Sequence, residues 1–104
     1  MSRRDPLPRG VVRDLLGIAR ALYRAERAGE PDAAQRVRLA QLEEIGHMLR
    51  QALELSKVEP DTMGHRAAWG WAEKGTAALG VFVGESMPLA PVVRAAAEQL
   101  RGRG

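Results

Sequence analysis

Apolar residues recur at helical spacing in four stretches of the chain. In the first, Val11, Val12, Leu15, Ile18, Ala19, Leu22 and Tyr23 fall on one side of a helix that starts within residues 6–11 and ends near Ala28. Asp5 ahead of Pro6 suits an N-cap followed by a proline at the first helical position, and Gly29 suits a stop. The second stretch carries Ala34, Val37, Leu42, Ile45, Leu49, Ala52 and Leu53 on one face, with Met48 at its margin. It opens near Pro31 or Asp32, where Asp32 and Gln35 have the spacing of a capping box, and it closes near Lys57. With only Gly29, Glu30 and Pro31 before Asp32 to connect them, the first two helices are expected to fold back as an antiparallel hairpin.

A third helix is expected from Asp61, its N-cap candidate, to Val83, with Gly84 ending it. Gly64, Gly70, Gly75 and Gly80 weaken this assignment, because an interior glycine costs about 1 kcal/mol relative to alanine. The alternative is a short strand at LGVFVG, which would have no partner in a helical chain. After the proline-marked turn ESMPLAP, a fourth helix is expected over 90–101, with Val92, Val93, Ala96 and Leu100 as its inner face. The predicted fold is therefore all-α: one four-helix domain over residues 1–104, built on a hairpin, with 1–8 and 102–104 as flexible ends.

The two tryptophans of RAAWGWAEKG stand two residues apart, so on a helix they point about 200° away from one another. A face centred on Trp71 gathers Ala67, Ala68, Gly75, Ala78, Leu79 and Phe82 and reads as the core stripe. Trp69 then falls on the other side, near Arg66, Glu73, Ala77 and Gly80, where it suits a contact surface, since interfaces are enriched in tryptophan. The competing reading is that the fourth helix or the N-terminal segment covers Trp69 within the monomer.

Charge adds a second candidate surface. The chain has a formal charge of +3, but residues 1–27 hold seven arginines against Asp5, Asp14 and Glu26, a net of +4, and the remainder nets −1. Arg13, Arg20, Arg24 and Arg27 fall within about 60° of one another around the first helix, opposite its apolar face. Such a stripe contacts phosphate backbones without reading base sequence. Glu26 lies on the apolar side of the same helix. At the open end of the hairpin it reaches water; buried, it needs a partner such as Arg36 or Arg38.

Other chemistry finds little support. The chain has no cysteine, which excludes disulfides and thiolate metal sites and agrees with a cytoplasmic protein. No segment is apolar enough for a signal peptide or a membrane span. Glu44-Ile45-Gly46-His47 has the Glu-x-x-His spacing found in di-iron bundles, but the chain has one copy and the bundle needs two. A metal there would require a second chain, as in encapsulated ferritins, which each supply half a site, and the surrounding arginines oppose it. Ser2, Ser56, Ser86 and the two threonines sit in no activating pattern, and there is no phosphate-binding glycine loop. A helix-turn-helix over AALGV and VVRAAAEQL fails because FVGESMPLAP is too long for its turn. No cofactor and no small-molecule substrate are implied. The expected role is a non-catalytic interaction or scaffold module, associating with a second copy or another protein through Trp69, Glu73, Ala77 and Gly80. The alternative is a non-specific nucleic-acid-binding accessory protein using the arginine stripe.

Overall fold

A computed structural model describes residues 6–59, 62–84 and 87–103, the last three by their backbone alone. It contains four helices, α1 (Arg9–Arg27), α2 (Ala33–Leu55), α3 (Met63–Val83) and α4 (Ala90–Arg103), and no strand among the described residues. LGVFVG is thus the end of α3 rather than a strand. Helix α4 extends two residues beyond its expected end.

The helix ends follow local chemistry. At α2, the Asp32 carboxylate accepts from the Gln35 backbone N–H at 2.8 Å, and the Gln35 side chain accepts from the Asp32 N–H at 2.8 Å, completing the capping box. At α3 the cap is Thr62, whose hydroxyl oxygen accepts from the His65 N–H at 3.2 Å and donates to the Glu59 carbonyl at 2.7 Å. Asp61 and Asp5, the two other expected caps, lie outside the described residues. Helix α1 starts after Pro8 with no side-chain cap. Gly29 (φ 78°) and Gly84 (φ 62°) follow α1 and α3 in the left-handed region, which glycine enters without a Cβ clash.

Contacts between α1 and α2 run in opposite senses along the two helices. Near the start of α1, the Arg9 guanidinium donates to the Leu53 carbonyl at 3.0 Å and the Ser56 hydroxyl at 2.6 Å. It thereby places a cation on the carbonyl end of α2, where the helix dipole favours positive charge. Further along, the Tyr23 hydroxyl donates to Glu43 at 3.3 Å, and Arg38 Nε meets Glu26 Oε1 at 2.8 Å. Glu26 therefore keeps a partly buried position by pairing with one of its two candidate partners.

Helices α2 and α3 share the most extensive contact in the chain. Gly75 sits against Leu49: a Cβ at this position would stand 2.9 Å from Leu49 Cδ2 and 3.2 Å from the Met48 Cβ. The core joins Val12, Leu15, Leu16 and Ala19 of α1, Leu42, Ile45, Leu49 and Ala52 of α2, Ala68, Trp69, Ala72 and Leu79 of α3, and Val93 and Leu100 of α4. Leu7 is also buried in it, while its neighbours Pro6 and Pro8 are exposed and partly covered, respectively. The expected faces shift elsewhere too. Val37 and Val92 are more than half exposed, and Leu39 and Leu16 are buried in addition to the residues assigned to those helices. The molecule is elongated, 45 × 23 × 17 Å along its principal axes, with a radius of gyration of 14.1 Å.

Candidate functional site

The placement of the tryptophans reverses the expectation. Trp69 is fully buried in the core, whereas Trp71 is only partly covered. The buried residues of α3 are His65, Ala68, Trp69, Ala72, Gly75, Thr76, Leu79 and Val83. At about 100° per residue these form an arc centred on Ala72 and Leu79, with Trp69 inside it and Trp71 on its flank. Two polar residues in the middle of that arc, His65 and Thr76, carry no apolar signal in the sequence. Thr76 is buried because its hydroxyl donates to the Ala72 carbonyl at 2.7 Å, one turn back in its own helix. Trp69 accordingly cannot anchor an exposed contact in the folded monomer.

The other three residues of that candidate surface, Glu73, Ala77 and Gly80, lie along the seam where α4 packs on α3. Ala77 and Gly80 line a small groove of about 150 Å³ with Gly84, Val93, Arg94 and Ala97. Glu73 and Ala77 line a neighbouring one with Ala97 and Leu100. The small-residue groove is therefore present, but α4 forms its second wall and the tryptophan lies in the core.

An exposed apolar face occurs instead on the joined surface of α2 and α3. A groove of about 450 Å³ there is lined by Ile45, Met48, Ala78, Val81 and Phe82, with Arg38, Gln41 and Glu44 at its rim. Val81 is 83% exposed. Trp71, Ala78 and Phe82 share this flank of α3 at helical spacing and pack partly against the core. Cations cover the two rings: the Arg38 guanidinium lies 4.4 Å from the Phe82 centroid, and the Lys74 ammonium 5.5 Å from that of Trp71.

Arg13, Arg20, Arg24 and Arg27 are all exposed on α1. Two of them, Arg20 and Arg24, form one wall of a groove of about 460 Å³ between α1 and α2. Its other wall carries His47 and Arg50 of α2, which the sequence did not connect with the stripe, and Tyr23 and Glu43 lie between. Among the described residues none of Arg20, Arg24 and Arg50 makes an ion pair.

Glu44 and His47 are exposed, and the His47 ring meets Trp71 edge-on with centroids 6.1 Å apart. No three His, Asp or Glu side chains cluster as metal ligands among the described residues. No described helix is long and apolar enough to cross a membrane. Compared with known proteins, the chain matches no family model, no curated protein and no solved structure.

Proposed function

We propose that the protein is a non-catalytic helical module that associates with a second copy of itself through the joined face of α2 and α3. The observation that carries this reading is Val81, 83% exposed beside partly buried Trp71, Ala78 and Phe82 on one flank of α3. Tryptophan and phenylalanine on one apolar strip are the composition of an interface core. The strip runs from position 71 to 82, about 16 Å at 1.5 Å per residue, beside the groove formed with α2.

Charge favours a copy of the same chain as the occupant. The rim of this face mixes signs: Arg38 is already paired to Glu26, Glu44 borders the groove, and Lys74 lies over the Trp71 ring. A two-fold arrangement brings such a face against itself without repulsion, whereas the arginine face of α1 would repel its own copy. In this reading the hairpin of α1 and α2 is the scaffold that presents α3.

The test is solution mass by light scattering across protein concentration, at low and moderate salt. A dimer that grows with concentration and survives moderate salt is expected. Val81→Asp should return it to monomer while far-UV circular dichroism keeps its helical signal, because Val81 makes little contact within the monomer. Burying a valine is worth about 2 kcal/mol per copy, so the loss counts twice across a two-fold interface. A mass that stays monomeric throughout refutes the reading.

A further inference from the structure

We infer that the groove between α1 and α2 is a phosphate-binding site that takes the backbone of a single-stranded nucleic acid. Arg20 and Arg24 stand on one wall and Arg50 on the other, while Glu43 is the one carboxylate lining the groove among the described residues. That carboxylate already accepts a hydrogen bond from Tyr23 at 3.3 Å. Three guanidinium groups of like charge around one concave surface repel one another unless an anion sits between them. A groove with low-dielectric walls also concentrates their field. Each guanidinium presents a planar fork of donors that matches two oxygens of a phosphate.

Two features favour a polymer over an isolated phosphate. Arg13 and Arg27, exposed on the same side of α1, extend the positive line beyond both ends of the groove. From Arg13 to Arg27 the helix rises about 21 Å, which spans several phosphates of a strand. Tyr23 and His47 also bring rings to the groove, and a strand held by its phosphates can lay bases on such rings. This face is distinct from the Val81 face and does not depend on self-association.

The experiment is fluorescence anisotropy of a dye-labelled 12-nucleotide oligo-dT, titrated with the full chain over a salt series. Binding at low salt should weaken as salt rises, with a log–log slope of about −2 for three phosphate contacts on a single strand. Arg50→Glu, and separately Arg20→Glu with Arg24→Glu, should each weaken binding about tenfold or more. The comparison variant is Arg36→Glu, which makes the same charge change as Arg50→Glu on α2 but outside the groove, and it should shift affinity less than threefold. All these side chains are exposed, and far-UV circular dichroism verifies that each variant is folded. Three results would overturn the inference. They are no binding at low salt, equal losses in Arg50→Glu and Arg36→Glu, and binding of pyrophosphate without binding of the oligonucleotide.

Discussion

Two glycine-to-alanine substitutions in α3 separate the intrinsic cost of a glycine from the close approach it permits. Gly70 and Gly75 are both helix-interior, so alanine at either should gain about 1 kcal/mol from helix propensity. Around Gly70 a new Cβ would meet no heavy atom within 4 Å, so Gly70→Ala should keep the whole gain. At 1 kcal/mol, with about 4–8 °C per kcal/mol for a domain of this size, its melting temperature should rise by roughly 5 °C. At Gly75 the new Cβ would stand 2.9 Å from Leu49 Cδ2, 3.0 Å from Leu49 Cγ and 3.2 Å from the Met48 Cβ. Leu49 is fully buried and has little room to retreat, and overpacking of this kind costs about 1–3 kcal/mol. Gly75→Ala should therefore be neutral to destabilising by about 2 kcal/mol, leaving a gap of about 1–3 kcal/mol between the variants. Urea unfolding followed by far-UV circular dichroism measures both, and an unchanged m-value shows that the transitions are comparable. If Gly75→Ala stabilises as much as Gly70→Ala, α2 and α3 do not pack at the distance described.

The tryptophans give a spectroscopic check. In Trp71→Phe the remaining Trp69 should emit toward the blue and resist acrylamide, while in Trp69→Phe the remaining Trp71 should be quenched more readily; the opposite order would return Trp71 to the centre of the core. Removing the N-cap of α2 by Asp32→Ala should cost about 1 kcal/mol and lower the melting temperature by roughly 4–8 °C, and no change would mean that the capping box contributes nothing.

Helix order was legible because α1 and α2 carry leucine, isoleucine and valine at clear helical spacing between punctuating glycines and prolines. The capping box was legible from Asp32 and Gln35; for Glu26 the sequence left open whether it reaches water or pairs with Arg36 or Arg38, and the structure pairs it with Arg38. Helix α3 was harder to orient. Three of the eight residues in its buried arc, Ala68, Ala72 and Gly75, carry little hydrophobic signal, and two more, His65 and Thr76, read as polar. The large apolar side chains Trp71 and Phe82 pulled the inferred face about 100° toward the flank that α2 covers only in part. A threonine that bonds the carbonyl four residues back satisfies its own hydroxyl, so its polarity no longer marks a solvent-facing position. The second wall of the arginine groove was hidden for another reason: Arg20 and Arg50 are thirty residues apart, and only the packing of α1 on α2 brings them to one surface.

The elongated envelope has a hydrodynamic consequence. Helix α2 has 23 residues and is about 35 Å long, more than the two shorter dimensions of 23 and 17 Å, so it must run along the 45 Å axis. A chain of this length with a radius of gyration of 14.1 Å exceeds the roughly 13 Å of a rounder domain. It should leave a gel-filtration column ahead of its mass and resemble a larger species there. Its tumbling is anisotropic as well. Amide N–H vectors in α2 lie nearly parallel to the long axis and are reoriented only by its slow end-over-end tumbling, so their 15N relaxation should report a longer correlation time than vectors that cross it.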